Sequence, residues 1–348
     1  MRFPRRALVL AGLAAATAVQ FVLVLVLGPY HVPVGEVLRV LSGQHAADPR
    51  WAVIIQEVRL PRALTAVAAG AGISAAGVQT QALFRNPLAD PYSLGLSAGA
   101  SMGVALTVLG IGGTAGAFAE GLQGAGRIGV VIAAACGAAA VLMLVMLLAR
   151  RVRSTVVLLL VGVMLGSATA ALVSMLMVYA RPESAQQFVL WSLGSFTATT
   201  WPDLEVMLPA TALGLVAALL GTKTLNAHLL GVGYARSMGV NVRRSRDLVL
   251  LGTSLLAGSV TAFCGPVAFL GLAVPHLTRL ALGTSDHRVL VPGAMVGGSC
   301  LALACVLISQ PPGTEMTFPL NAVTSLFGAP LVIVLLLRSR RALRGVTA

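Results

Sequence analysis

The residue types that could do chemistry in this chain are few, and none stands in a known catalytic pattern. The sequence contains no GxxxxGK[ST] nucleotide loop, no HExxH and no GxSxG. If ATP drives this protein, another chain therefore binds the nucleotide. Nearly all acidic residues lie outside the apolar segments, whereas proton- or sodium-coupled carriers keep ionisable groups within the membrane. We therefore expect neither an enzyme nor a coupled carrier.

The most concentrated positive charge inside the chain lies in Thr222–Asp247, which we call the connector. It separates two strongly apolar segments, and the positive-inside rule assigns such a loop to the cytoplasmic face. Its basic residues are Lys223, Arg236, Arg243, Arg244 and Arg246.

The connector also has apolar residues at helical spacing. Leu225, Leu229 and Leu230 form one short apolar face, Tyr234 and Met238 form a second, and Gly239 stands where it would stop that helix. Two short helices under a membrane domain indicate a docking surface for a cytoplasmic partner. A snorkelling interfacial loop without a partner explains the pattern equally well.

A second basic site is Arg59-Leu60-Pro61-Arg62, at the predicted outer end of an apolar segment. Two arginines three residues apart lie on one face of a helix, and Pro61 suits a first helical turn. The spacing favours snorkelling at the helix end. The alternative is a bidentate clamp for acidic side chains of an external protein.

Two stretches rich in proline and glycine interrupt the apolar segments, NPLADPYSLGLSAG at Asn86–Gly99 and GPVAFLGLAVPHLTR at Gly265–Arg279. Non-helical backbone at membrane depth is tolerated only when it is buried in protein or lines a water-filled path. The small residues of the first stretch also favour close helix packing. In the second, Pro275 predicts a helix break, and we expect His276 to be an interfacial hydrogen-bonding group rather than a proton relay.

The elements that carry these residues are membrane helices. The 348-residue chain is 57% hydrophobic and 10% charged, with a mean hydropathy of +0.91, whereas a soluble domain has about 25% charged residues. The net charge of +13 is explained better by the orientation of a membrane protein than by nucleic-acid binding.

The four cysteines lack metal-ligand spacing and are interpreted as small buried hydrophobes. Trp191 is expected in an interfacial aromatic belt.

The hydropathy pattern predicts an all-α, polytopic membrane protein of about ten transmembrane helices, with both termini cytoplasmic and residues 1–348 forming one domain. Most of the 24 basic residues then lie inside. The predicted spans are 7–27, 61–83, 94–109, 128–148, 155–180, 206–220, 248–264, 267–282, 289–309 and 318–337.

Taken together, these stretches resemble the FecCD-type permease subunits of bacterial ABC importers for iron–siderophore complexes, haem and vitamin B12. The resemblance runs from about Leu38 to Leu337 and rests on four blocks in the family's order and spacing. They are RLPR at 59–62, NPLADPYSLG at 86–95, GPVAFLGLAVPHLTR at 265–279 and FGAP at 327–330.

The resemblance implies a multi-pass subunit of the bacterial cytoplasmic membrane that pairs with a second permease subunit. Two ABC ATPase subunits bind below it, and an extracytoplasmic substrate-binding protein docks outside. Substrate passes along the interface of the two permeases by alternating access. ATP and magnesium belong to the ATPase, so no cofactor or metal is expected on this chain.

The resemblance also implies roles for particular residues. Arg59 and Arg62 match outer arginines that receive the binding protein. The ATPase-coupling residues are Leu230, Gly231, Tyr234, Ala235, Arg236, Met238 and Gly239. The residues that match the family's translocation path and gates are Asn86, Pro87, Asp90, Gly95, Gly99, Gly265, Pro266, Gly271, Pro275 and His276.

The sequence departs from the family pattern at several sites. Val232 and Gly233 stand where the coupling segment usually carries an acidic pair, and Gln310 stands where an arginine is expected to help dock the binding protein. One physical explanation is a heterodimer, in which a paralogous permease subunit keeps the missing charges.

The expected function is import of ferric siderophores, a choice that rests on how often family members carry them. Haem and vitamin B12 are alternatives within the family. An ATP-independent secondary carrier or channel, and a membrane scaffold without transport, are alternatives from other classes.

Overall fold

The protein is described by a computed structural model that covers residues 3–109, 125–151, 154–229, 231–314 and 316–344. Within these ranges it consists of helices, turns and loops, with no strand. Most of the predicted outer segment 111–127 and the coupling residue Leu230 lie outside the described residues. The all-α fold class predicted from hydropathy is confirmed.

Seven helices are long and apolar enough to cross a membrane. The helices in chain order are α1 (Phe3–Val26), α2 (Val34–Leu41), α3 (Pro49–Val53), α4 (Leu60–Phe84), α5 (Leu96–Val108), α6 (Ala125–Arg151), α7 (Thr155–Met177), α8 (Pro182–Ser192), α9 (Trp201–Leu220), α10 (Thr222–Leu229), α11 (Val232–Ser237), α12 (Val242–Cys264), α13 (Leu270–Leu282), α14 (His287–Ser309) and α15 (Leu320–Arg344). A π-helical turn, Ile54–Arg59, joins α3 to α4, and a 3₁₀ turn, Pro91–Leu94, precedes α5.

The three remaining predicted spans correspond to shorter apolar helices. These are Leu96–Thr107, Leu270–Leu282 and Leu320–Val334. Every predicted span therefore overlaps a helix, and the chain is a multi-pass membrane protein. The number of crossings and the side of the termini stay predictions.

Three helices begin earlier than the hydropathy pattern predicts, because their first turns are polar. Helix α3, the π turn and α4 form one continuous helix from Pro49 to Phe84, so part of the predicted outer segment 28–58 is helical. Helix α9 begins at Trp201, where the Asp203 carboxylate accepts a 2.8 Å hydrogen bond from the Thr200 backbone N–H. Helix α12 begins at Val242, where the Asn241 side chain accepts from the Arg244 backbone N–H.

The predicted helix break at Pro275 is wrong. Helix α13 runs without interruption through Pro275, which lacks the N–H that would bond to the Gly271 carbonyl four residues earlier. A Cβ placed on Gly77 of α4 would lie 1.9 Å from that carbonyl oxygen. The freed carbonyl is therefore packed against a glycine of the neighbouring helix, and the helix continues.

The predicted place of Trp191 in an interfacial aromatic belt is also wrong. The side chain is only 8% exposed and belongs to the main core, with its ring 6.1 Å from that of Phe188. Among the cysteines, Cys264 and Cys305 are buried as expected, whereas Cys136 is exposed on a membrane helix.

The centre of the bundle is the pair α4 and α14, which make the most extensive helix–helix contact in the described chain. Nearly every residue of α4 is buried. A Cβ on Gly70 would lie 2.3 Å from the Gly298 carbonyl oxygen, and one on Gly298 would lie 2.2 Å from the Gly70 carbonyl oxygen. The two backbones touch because neither residue has a side chain.

A second group of closely packed helices consists of α5, α6 and α7. A Cβ on Gly99 of α5 would lie 2.6 Å from the Gly137 carbonyl oxygen of α6, and one on Gly103 would lie 1.9 Å from that of Ala133. Gly95, at the start of α5, lies against Gly162 of α7. The predicted use of small residues for close packing in this stretch is confirmed.

We expect Gly298→Ala to destabilise the protein by about 1–3 kcal/mol, because the new methyl group overlaps the α4 backbone, which has no side chain that can move aside. The measurement is the melting temperature of the purified protein in detergent.

The control is Gly12→Ala in α1, where nothing lies within 4 Å of the new Cβ. Equal melting temperatures for the two variants would contradict the close α4–α14 contact.

Candidate functional site

The connector forms two short helices, as its apolar spacing predicted. Helix α10 is followed by Gly231 with φ of 113°, and α11 ends before Gly239 with φ of 79°. The Gly239 N–H donates to the Arg236 carbonyl at 2.9 Å, and the Val240 N–H donates to that of Ala235 at 3.0 Å. Gly239 therefore ends the helix as predicted, because a left-handed residue closes its last turn.

The surface of the connector that faces away from the bundle is apolar at its centre. Leu229 is 47% exposed, Tyr234 is 54% exposed and Met238 is 58% exposed. Arg236 lies exposed beside them, whereas Ala235 and Leu225 are fully buried. Leu225 and Leu229, which were predicted to share one apolar face, differ in exposure, because Leu225 turns into the bundle.

The connector is attached to the amino end of α14 through Asn226. Its Nδ2 donates to Asp286 Oδ1 at 2.6 Å. The His287 backbone N–H and ring Nδ1 both lie 2.8 Å from Asn226 Oδ1. An amide oxygen only accepts, so both His287 nitrogens donate to it. Asp286 also caps α14 by accepting from the Arg288 N–H at 3.0 Å.

The Asp286 carboxylate is held ionised by these contacts. The hydrogen bond from the Asn226 side chain, followed by that from the Arg288 backbone, lowers the pKa of Asp286 below its usual value. The contact with α10 is therefore a charge-assisted hydrogen bond at neutral pH, which is stronger than one between neutral groups.

A second attachment joins the connector to α4 and α12. Arg85, which caps the carboxyl end of α4 in a left-handed conformation with φ of 48°, donates from Nη2 to the His228 carbonyl at 3.0 Å. The His228 ring Nε2 shares a 2.8 Å hydrogen bond with Ser245 Oγ of α12.

Burial, followed by the charge of Arg85, lowers the pKa of His228 below its usual value. The stability that the neutral ring contributes is fully present above its unfolded pKa of about 6.5 and decreases as the pH falls below that value.

At the opposite end of the bundle, the structure separates the two predicted docking arginines. Arg59 is 3% exposed and donates to the Leu25 carbonyl at 2.7 Å and to the Tyr30 carbonyl. It is the last residue of the π turn and directly precedes α4. The guanidinium of Arg59 therefore joins α4 to the end of α1 and is not presented at the surface in this conformation.

Arg62 is half-buried and donates from Nη1 to Gln310 Oε1, at the carboxyl end of α14. The arginine expected from the family pattern is thus replaced by a neutral acceptor that pairs with Arg62. Its docking role stays a prediction.

The two irregular stretches meet inside the bundle. A Cβ on Gly271 would lie 2.7 Å from the Pro91 ring and 3.3 Å from Asp90 Oδ2. The Tyr92 hydroxyl accepts from the Val267 backbone N–H at 3.3 Å. The predicted path residues Asp90 and Gly271 thus lie where the two stretches are in direct contact, as non-helical backbone within a membrane protein requires.

The second irregular stretch is fixed by Asn321, at the start of α15. Its Oδ1 accepts from the Ala268 N–H at 2.9 Å, and its Nδ2 donates to the carbonyls of Pro266 at 2.9 Å and Ser192 at 3.2 Å. A Cβ on Gly265 would lie 2.3 Å from the Trp191 carbonyl oxygen. Gly265 and Pro266 are therefore packed against α8 and α15.

The other predicted path residues lie elsewhere. Asn86 and Pro87 follow Arg85 in the turn at the connector end, where the Asn86 side chain accepts from the Leu88 N–H. Gly95 and Gly99 pack against α6 and α7, and His276 is half-buried on α13. Gly95 and Gly99 are packed against this chain, whereas Pro87 is exposed, and the place of all five residues in a path stays a prediction.

Sequence reasoning missed Asn226, Asp286 and Asn321. Asp286 had a readable signal, because an aspartate directly before an apolar run is a helix N-cap. Asn226 and Asn321 had none, since their partners lie 60 and 53 residues away along the chain.

Comparisons with known proteins agree with this architecture. A family model described as the FecCD transport family matches residues 16–338. An uncharacterised ABC transporter permease protein of Bacillus subtilis is 34% identical, covering 93% of this chain and 92% of that protein. The hemin transport system permease protein of Yersinia pestis is 33% identical, covering 87% of this chain and 88% of that protein.

Two further proteins give the same result. The vitamin B12 import system permease protein of Klebsiella pneumoniae is 34% identical over 95% of this chain and 94% of its own length. A solved structure, described as an inward-facing conformation of an ABC transporter assigned to the metal-chelate type, superposes with a TM-score of 0.82 at 28% identity. It covers 94% of this chain and 98% of the other. The chain therefore belongs to the FecCD transport family and is an ABC importer permease of the cytoplasmic membrane.

Proposed function

We propose that this chain is the non-catalytic, membrane-spanning subunit of an ATP-driven importer of metal chelates, with ferric siderophores as the first candidate substrate. Relatives named for hemin and vitamin B12 transport support the wider class, since haem and vitamin B12 are also chelated metals. Haem and vitamin B12 therefore remain the alternatives to be tested beside a ferric siderophore.

The observation that carries this proposal is the exposed apolar centre of the connector. Leu229, Tyr234 and Met238 are all about half exposed at the end of the bundle. The same connector carries exposed basic residues, among which are Arg236, Arg243 and Arg244. An apolar patch with a charged rim is typical of a protein–protein contact. Its occupant in this proposal is the cytoplasmic ABC ATPase, which binds ATP and magnesium and performs all hydrolysis.

The connector can pass on a movement because it is a folded unit. Two hydrogen-bonded attachments, at Asn226 and at His228, hold it against three helices of the bundle. ATP binding would close an ATPase dimer and displace the connector, so that the permease opens alternately to each side. Such a switch requires contacts that differ between the two states, and exposed side chains on short helices can supply them.

The proposed partners of this chain are a second permease subunit, two ATPase subunits and an extracytoplasmic binding protein. The second permease is proposed to be a paralogue, because Arg62 pairs here with neutral Gln310 where an additional cation is expected. The binding protein supplies the affinity for substrate, so the path itself binds substrate weakly, and no resident metal or cofactor is proposed for this chain.

We expect cells or proteoliposomes containing the complete complex to accumulate a radioiron-labelled ferric siderophore in an ATP-dependent manner. Haemin and cobalt-labelled cyanocobalamin are tested in parallel, and mass spectrometry of the purified complex identifies its subunits. Uptake that persists without ATP or without any ATPase chain would contradict the proposal and favour a secondary carrier or channel. Two copies of this chain with no second permease would refute the heterodimer alone.

We expect the double variant Tyr234→Glu, Met238→Glu to lose the ATPase during purification. Each apolar side chain contributes about 2 kcal/mol when fully buried at an interface, so the affinity should fall on the order of 100-fold or more. The measurement is the ATPase recovered with the affinity-tagged permease.

The matched control is Lys223→Glu, on an exposed residue of the same connector, which changes the net charge by the same amount as the double variant. Equal loss of the ATPase in both would indicate a general electrostatic effect and would contradict the apolar contact.

The two outer arginines are expected to give different phenotypes. Arg59→Met leaves two backbone carbonyls without their charged donor, so the melting temperature should fall, with a cost of about 1.5–3 kcal/mol for each hydrogen bond. Arg62→Met should leave the protein more stable than Arg59→Met and should weaken retention of the binding protein on the immobilised permease. Weakened binding in Arg59→Met at full thermal stability would overturn this division of roles.

A further inference from the structure

We propose that Asn226 is the positioning residue that passes a displacement of the connector to α14, and through the α4–α14 pair to the opposite end of the bundle. This inference rests on the proposed function, since the displacement is the one that the ATPase would cause. Asn226 lies on the side of α10 that faces the bundle and is separate from the exposed docking side chains.

The amide nitrogen and the amide oxygen of Asn226 both bond to residues at the start of α14. Its donor is bound to Asp286, and its acceptor is bound by both the backbone and the ring of His287, which is 2% exposed. These are the last residue before α14 and its first residue. Three hydrogen bonds from one side chain fix both the position and the direction of α10 relative to the start of α14.

The second attachment of the connector leads to the same pair of helices. Arg85, which holds the His228 carbonyl, is the cap of α4. The amino end of α14 and the carboxyl end of α4 thus both hold α10. A displacement of α10 therefore acts on the two helices together.

Helices α4 and α14 cannot easily slide past each other. Gly70 and Gly298 touch backbone to backbone, and Ser299 Oγ of α14 donates to the Val67 carbonyl of α4 at 2.9 Å. Such contacts lose about a quarter to a half of their dispersion energy when a gap of about 0.5–1 Å opens, so the packed pair resists displacement.

The far end of the pair is closed by a third contact, between Arg62 of α4 and Gln310 at the end of α14. The pair is therefore linked near the connector, in its middle and at the opposite end. A displacement that enters at Asn226 would reach the turn after α14, where Thr314 is exposed.

The test uses the complete complex in lipid nanodiscs, with Thr314→Cys as a reporter and Cys136 and Cys300 changed to alanine. The readout is the rate of Thr314→Cys alkylation by a maleimide, with and without trapping by ATP and vanadate. Binding of the ATPase, its hydrolysis rate and the melting temperature are measured on the same samples. Three variants are compared with the parent, namely Asn226→Ala, Asn226→Asp and Asp286→Asn.

We expect trapping to change the alkylation rate in the parent. In Asn226→Ala the ratio of the two rates should fall toward one, although the ATPase remains bound and hydrolyses ATP. Asn226→Asp should behave in the same way, because it places two carboxylates against each other while keeping the size of the side chain. Asp286→Asn should keep the response of the parent, since an asparagine still caps α14 and still accepts from Asn226.

The matched control is Asn241→Ala. It is the same substitution in the same connector, but the Asn241 side chain only caps α12. We expect it to keep the trapping response.

Three results in the alkylation assay would overturn the inference. They are an unchanged ratio in both Asn226 variants, an equal loss in Asn241→Ala, and a parent that hydrolyses ATP with no trapping response at Thr314→Cys. Loss of the bound ATPase in the Asn226 variants would also overturn it, because Asn226 would then belong to the docking surface. Absence of any ATPase from the parent complex would refute the proposed function itself, and this inference with it.

Discussion

The contact on which the rest of the bundle depends is the one between the backbones of Gly70 and Gly298. Apolar side chains gain little by leaving lipid for protein, so membrane helices associate through close packing and hydrogen bonds. A single methyl group at either glycine would separate α4 from α14. With the two helices in contact, α4 is surrounded by α12, α13 and α14 and becomes almost fully buried. The central position of α4 in turn places its two ends, Arg59 and Arg85, where they can hold the neighbouring segments.

The irregular backbone inside the bundle follows a second constraint, which is that polar groups within a membrane need protein partners. Tyr92 and Asn321 meet this need by bonding to the backbone around Val267, and Gly271 allows the two irregular stretches to touch. The freed carbonyl that Pro275 creates is accommodated by Gly77 in the same way. The prolines and glycines in these stretches thus form a set of mutually dependent contacts.

The sequence alone predicted the parts of this protein that depend on local pattern. Long apolar runs located the membrane helices, and Gly239 located the end of α11. Helix starts were predicted too late where the first turn is polar, as at Val242. Hydropathy reports the length of the apolar segment and not the full length of the helix. The burial of Arg59 could not be predicted, because its partners, the carbonyls of Leu25 and Tyr30, lie 34 and 29 residues away along the chain. Asn226 was missed because its partners lie far away in the chain.

Two groups of helices are each held together by small residues, α4 with α13 and α14, and α5 with α6 and α7. Within each group, backbone atoms touch, so internal movement would break contacts that lipid cannot replace. Between the groups, α12 contacts α5 and α6, and the 3₁₀ turn before α5 touches α13 through Pro91 and Gly271 and α12 through Tyr92. Side chains can change rotamer at small cost, whereas a glycine contact allows only one distance. Side chains of α12 that lie between the groups can therefore adjust at lower cost than the glycine contacts within each group, and the connector is attached to the first group.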